Sequence, residues 1–196
     1  MKRITAVVVS FLMAVVAIRY CYLIKLGEIH PVLATWLLFS LATGVGIWTY
    51  MRADSKKDVI TNIANTTDVF ATWSILLFLL FFGKDTRYAF SPFEILCIAS
   101  VVAVLIYWRI SKRANAANIA INFILVIGYL PTIVWLWKAT ENTESFSVWV
   151  IVLISNLTAL YNPIKEKDWF ALLYASRAVI LVSAIIGLMV RIEFFR

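Results

Sequence analysis

Residues 131–177 read PTIVWLWKATENTESFSVWVIVLISNLTALYNPIKEKDWFALLYASR. Three apolar runs are joined here by a polar turn and a short charged connection, and the first run carries a proline. Helix-length apolar segments with short polar joints are the pattern of a membrane bundle. The same pattern returns more faintly in residues 18–76. Matching Trp36 to Trp149 sets an offset of 113, which also pairs Lys25 with Lys138, Glu28 with Glu141 and Trp48 with Tyr161. After a longer loop, Asp68-Val69-Phe70-Ala71 meets Asp168-Trp169-Phe170-Ala171 at an offset of 100. A three-helix unit that occurs twice in one bilayer protein points to a transporter, because a path forms naturally between related halves.

Composition agrees on the solvent. The chain has 196 residues, of which 63% are hydrophobic and 15% charged, with a mean hydropathy of +0.90. A water-soluble domain of this size could not bury so much apolar surface. The net charge of +7 does not imply nucleic acid, since Lys and Arg are scattered through short connections instead of forming one face. Cys21 and Cys97 lie in apolar segments and are not expected to pair. Met1-Lys2-Arg3 precedes a long apolar run without an A-x-A site, which reads as a first span that stays attached.

Crossing about 30 Å of hydrocarbon takes roughly 20 helical residues. Seven segments approach that length, near 4–24, 30–51, 66–83, 91–109, 116–138, 146–163 and 169–190. Continuous apolar runs favour helices over the alternation of a membrane barrel. The third span is the weakest, and Asn62–Asp68 is expected to supply a polar first turn. Ser91-Pro92-Phe93-Glu94 has the form of a helix N-cap. An odd number of spans fits a duplication arranged as three helices, one connector and three helices, which leaves the two triplets parallel. The expected fold is therefore an all-α membrane protein of seven transmembrane helices, with a first bundle at 1–90, a linker helix at 91–114 and a second bundle at 115–196.

Orientation follows from basic residues outside the spans. Lys2, Arg3, Arg52, Lys56, Lys57, Arg109, Lys112, Arg113, Lys165 and Lys167 fall on the side of the N-terminus. Lys25, Lys84, Arg87, Lys138, Arg191 and Arg196 fall on the other. The bias predicts a cytoplasmic N-terminus, in a prokaryotic cytoplasmic membrane, with the C-terminus outside.

Pro131, then Asn142-Thr143-Glu144, Ser147, the aromatic Tyr161 and the stretch from Asp168 to Ala171 that opens a third helix together resemble the triple-helix unit of the SWEET, SemiSWEET and PQ-loop transporters. The resemblance covers residues 128–180 well and 14–80 poorly. It implies two triple-helix bundles about a central cavity, alternating access, and movement of a small polar solute such as a sugar. It also implies a hinge at Pro131, an aromatic wall at Trp48 and Tyr161, and a pocket residue at Ser176. The chain departs from the family in having Thr132 after the proline, Ile18-Arg19 in place of the hinge in the first half, and serine where the family has a pocket asparagine. A plain sugar is thereby put in doubt.

Other candidates come from the residues themselves. A proline in an apolar helix removes one backbone bond and loosens the turn, either as a hinge or as a tolerated kink. Asn156 and Asn122 lie within spans, where an amide holds a ligand or a neighbouring helix. Arg19 and Arg177 are costly at bilayer depth unless each faces water, a partner or an anionic ligand, and either could instead snorkel. Asp168 is a candidate gate residue. Trp108, Trp137 and Trp169 read as interfacial anchors. No Asp or Glu is expected within a span, Glu94, Asp68 and Asp168 being placed at helix ends. His30 is the only histidine, so a metal is not expected. No catalytic motif or cofactor signature is present.

The reading is a transporter or facilitator of a sugar-like solute or small organic anion, not an enzyme, whose partners are the solute and the bilayer and which is compatible with a homo-oligomer. Its substrate-binding residues would be Trp48, Asn156, Tyr161, Ser176 and Arg177, with Pro131, Arg19 and Asp168 at hinge or gate. The alternative is a non-transporting PQ-loop-like receptor or assembly protein.

Overall fold

The computed structural model describes residues 1–53, 57–83, 90–111 and 114–195. Among them the chain is helical: α1 (Lys2–Leu26), α2 (Leu33–Ala53), α3 (Ile63–Phe82), α4 (Pro92–Ser111), α5 (Ala114–Lys138), α6 (Phe146–Ala159), the short α7 (Tyr161–Glu166) and α8 (Trp169–Phe194). Six stretches are long and apolar enough to cross a membrane: α1, α2, α3, α5, α6 with α7, and α8. α4 carries a shorter apolar stretch, Pro92–Tyr107, among the described residues. Large apolar side chains cover the outside, with Phe81 76% and Phe70 72% exposed. Helices apolar on both faces suit a lipid solvent. Of the residues used for orientation, Lys56, Lys84, Arg87, Lys112, Arg113 and Arg196 lie outside the described residues, as does the Trp108 side chain.

Helix ends follow the local chemistry. α1 stops at Gly27, whose φ of 73° suits a residue without Cβ; the amides of Gly27 and Glu28 return to the carbonyls of Ile24 and Leu23. The expected cap of α4 is present as a reciprocal pair, Glu94 N–H donating to Ser91 Oγ at 3.2 Å and Ser91 N–H to Glu94 Oε2 at 2.6 Å. The sixth span breaks at Leu160, so that α6 is followed by the separate turn of α7. α3 begins at Ile63, so the polar stretch expected as its entry is helical, and it carries Asp68 inside the helix. Cys21 and Cys97 are free thiols.

Hydrogen bonds fix which loops share an end of the bundle. Lys2 reaches Asp58 at 2.9 Å, and Asn162 Nδ2 donates to the carbonyls of Lys2 and Ile60, so the α2–α3 loop and α7 lie beside the N-terminus. At the other end His30 N–H donates to Thr143 O at 3.2 Å, and Arg191 Nη2 donates to Leu136 O and Trp137 O. α3 packs on both α1 and α2, and α8 on both α5 and α6. The two groups meet where α1 packs on α6 and α2 on α5, the latter being the most extensive helix pair.

Small and hydroxylic residues bring α2 and α5 together, as in bilayer packing generally. A Cβ at Gly128 would lie 2.9 Å from the Phe39 ring, and Thr35 and Thr132 share a buried hydroxyl bond of 2.8 Å. Gly187 on α8 has nothing within 4 Å of such a Cβ. Gly128→Val should therefore lower stability by about 1–3 kcal/mol, while Gly187→Val has little effect; thermal unfolding in detergent would compare them.

Candidate functional site

A cavity of about 40 Å³ lies where α1, α2, α3, α5, α6 and α8 converge. That is room for about three waters, since each needs roughly 10–15 Å³ of such space. Five aromatic rings line it among aliphatic side chains. Trp36 and Phe39 come from α2, Tyr129 from α5, Trp149 from α6 and Tyr174 from α8. Phe39 stands edge-on to Trp36 with centroids 5.9 Å apart and to Tyr129 at 4.5 Å. The matched tryptophans of the sequence repeat, Trp36 and Trp149, thus line one cavity from two helices.

Thr43 and Thr72 also line the cavity and bond to each other at 3.1 Å, and three stronger polar groups join them. Arg177 is 8% exposed, and its guanidinium lies 4.8 Å from the Tyr174 ring centroid and 5.8 Å from that of Tyr129. Its Nε and Nη1 are buried without a hydrogen-bond partner among the described residues. Asn156 donates through Nδ2 to Val152 O at 2.9 Å, and its Oδ1 likewise has no partner. Asp68 accepts from the Tyr174 hydroxyl at 2.7 Å and lies within electrostatic reach of Arg177 without forming a contact ion pair. The expectation that Asp68 stands at a helix end is corrected here: it is more than one turn inside α3 and lines the cavity. Its alignment with Asp168 is not structural equivalence either, because Asp168 caps α8.

The remaining sequence candidates lie elsewhere. Trp48 is 45% exposed with the Arg52 guanidinium 4.5 Å above its ring; five residues before the end of α2, it is not part of the cavity wall. Tyr161 opens α7, beyond the break at Leu160, and its hydroxyl contacts Met1 Sδ at 3.4 Å. Ser176 turns back to Leu172 O at 2.7 Å, one position from the cavity-facing Arg177. Arg19 is exposed and donates from Nε to Ser147 Oγ at 2.8 Å. Asn122 is buried on α5 outside the cavity lining. Pro131 is inside α5 and borders a larger cavity of about 540 Å³ at the end away from the N-terminus, with His30 and Trp135. Trp137 and Trp169 are exposed near helix ends, as interfacial anchors would be.

Buried carboxylates also lie toward both ends of the bundle, outside the cavity lining. Toward the N-terminal end, Asp168 caps α8 through the amides of Phe170 and Ala171, accepts from Tyr50 OH at 2.7 Å and pairs with Lys57 at 2.6 Å. Burial opposes its ionisation, but the Lys57 ammonium, the Tyr50 hydroxyl and the Ala171 amide outweigh it and hold the carboxyl below its ordinary value. Toward the other end, Glu144 is 5% exposed. Its Oε2 accepts from both Tyr20 OH at 2.7 Å and Trp149 Nε1 at 3.0 Å. Burial pushes this carboxyl up to about 7, against the pull of those two donors. Glu144 and Asp68 are not among the site residues expected from the sequence, because one lies in a polar turn and the other in the polar stretch that opens a weak span. The run of buried Asn62, Asn65 and Thr67 beside Asp68 was the available signal.

The chain matches none of the family models, curated proteins or solved structures with which it was compared.

Two outcomes follow from these contacts. Asp68→Asn and Arg177→Gln should each lower stability by less than the ~3–5 kcal/mol that breaking a buried contact pair costs, because the two charges are near but not touching. The double variant should lose less than the sum, by about 0.5–3 kcal/mol, in a thermal double-mutant cycle. Asp168, with its folded value depressed, contributes stability that is present above the unfolded value of about 3.9 and is lost as pH falls below it. Asp168→Asn should flatten that acid limb of an unfolding-versus-pH profile.

Proposed function

We propose that the chain is a transmembrane transporter or facilitator of a small polar solute, working by alternating access between two parallel triple-helix bundles. The first comprises α1, α2 and α3, the second α5, α6 with α7, and α8, with α4 as the linker. The observation that carries this reading is the central cavity, where Arg177 and Asn156 present unsatisfied polar atoms among aromatic rings. Buried polar atoms are normally satisfied. An occupant that accepts from the guanidinium and donates to the amide oxygen would complete them, and rings such as Trp36 and Trp149 stack on a sugar face or a base.

The packing supports the same arrangement. Each proposed bundle has its third helix between the first two, and exchanging the bundles turns the α1–α6 contact into the α5–α2 contact. Resemblance to the SWEET and PQ-loop unit adds to this, as does the charge bias for a cytoplasmic N-terminus in a prokaryotic membrane. Asp68 changes the solute expected. With a carboxylate beside Arg177, a net anion would meet repulsion as well as attraction, so a neutral polar solute suits the cavity better.

One observation favours the second reading, a non-transporting receptor or assembly protein: room for about three waters is too little for a sugar. In the transport reading the structure is an occluded state that widens to bind. Uptake into proteoliposomes, screened over sugars, nucleosides, amino acids and organic anions, separates the two. Movement of one class is expected, lost at least about tenfold, or ~1.4 kcal/mol, in Arg177→Gln and Asn156→Ala, and retained in Trp48→Phe. No movement of any class would favour the receptor.

A further inference from the structure

We propose that the Glu144 carboxyl is a proton-binding site that sets the position of the two tryptophans lining the central cavity. It stands in the loop between α5 and α6, while the two groups that hold it belong to separate helices. Tyr20 reaches it from α1 and Trp149 from α6, both donating to Oε2. Trp149 is itself a cavity wall. Tyr20 packs its ring on Trp36, the other tryptophan wall, with centroids 4.9 Å apart. One carboxyl therefore holds both members of the pair, directly in one case and through a stacked ring in the other.

The groups facing Glu144 leave its charge uncompensated. Tyr20 and Trp149 are neutral donors. From the same loop, Asn142 accepts the Glu144 backbone amide at 3.1 Å and offers no charge. Arg19, next to Tyr20 on α1, is turned to Ser147, and His30, before α2, contributes its backbone N–H to Thr143 O. No cation among the described residues forms an ion pair with Glu144. A carboxylate in this position costs several kcal/mol unless it takes a proton or reaches water. Asp168 at the opposite end has Lys57 and needs neither.

The linkage has a definite sign. The closed arrangement seen here binds the proton more tightly than a solvated carboxyl does, since burial pushes Glu144 up to about 7 from an ordinary value of about 4.3. Between those values closure takes up a proton from the solvent at the loop end, and opening releases it there. Closure therefore weakens as pH rises from the ordinary carboxylate range to about 7 and is indifferent to pH above that. Movement of solute with this proton rests on the proposed function; proton binding and its effect on the cavity do not.

Two measurements on the reconstituted full chain test this without any solute. Difference infrared spectroscopy should show a protonated-carboxyl C=O band that titrates near pH 7, is absent in Glu144→Gln, and has a higher midpoint in Tyr20→Phe, which removes one donor. Val152→Cys, placed on the cavity in a Cys21→Ala/Cys97→Ala background, should react with a methanethiosulfonate reagent faster as pH rises to about 7. That acceleration, beyond the thiol's own ionisation, should vanish when Glu144→Gln is added. A band unchanged by Glu144→Gln would overturn the proton site. A pH-dependent labelling rate that survives Glu144→Gln would overturn its hold on the cavity. Failure of every solute in the uptake screen would leave both results standing and would count only against transport.

Discussion

Every polar side chain turned inward in this bundle must find its partner within the protein, because the surrounding lipid supplies none. Three bonds of the same kind meet this requirement where it is most demanding. Tyr20 donates to Glu144, Tyr174 to Asp68 and Tyr50 to Asp168, each at 2.7 Å. All three join a residue before α4 to one after it. The first lies at the end of the bundle away from the N-terminus, the third at the N-terminal end, and the second between them. Removing the carboxyl from any one of them takes the acceptor from a tyrosine hydroxyl, and an unsatisfied buried donor costs about 1–3 kcal/mol. The halves are held by directional contacts of this sort as much as by shape, as expected where apolar burial drives no association between helices already in lipid.

These bonds differ in what accompanies the carboxyl. Asp168 has an ammonium and two backbone amides, so its contact is that of a charge already compensated, which holds the carboxyl below its ordinary value. Asp68 has a guanidinium near but not touching it, which leaves two nitrogens of Arg177 available to an occupant. Glu144 has neutral donors only. The same hydrogen bond is therefore rigid at one end, poised toward the cavity in the middle and responsive to protons at the other. That gradient comes entirely from the neighbours.

Much of this architecture was legible in the sequence. Apolar run lengths gave the helices to within a few residues, and Ser91 with Glu94 gave the start of α4, because run length and capping are local properties. Trp36 and Trp149 were matched by offset alone and do face one cavity. The family-derived positions fared differently. Trp48 and Tyr161 sit near the N-terminal end, since α6 breaks at Leu160 and the aromatic falls beyond it. Ser176 and Arg177 are adjacent in sequence, yet a helix turns successive residues about 100° apart, so only Arg177 reaches the cavity. Asp68 was misplaced because hydropathy starts the third span at its apolar part, whereas the helix starts at Ile63. Packing that hides Asn62, Asn65 and Thr67 against neighbouring helices is tertiary and leaves no periodic trace.

The proline illustrates how far a local feature can be from the chemistry and still bear on it. Pro131 cannot donate to the turn before it, and its neighbours at that level are Gly128, pressed against Phe39, and Thr132, bonded to Thr35. Phe39 in turn touches both Trp36 and Tyr129. A bend of α5 at Pro131 would thus be transmitted through Gly128 to an aromatic cluster that forms the cavity wall, in a helix pair whose close approach tolerates little sliding. Glu144 acts on the same cluster from the loop side through Tyr20 and Trp149. Pro131 and Glu144 thus stand on separate elements that both adjoin the cluster holding the tryptophan pair.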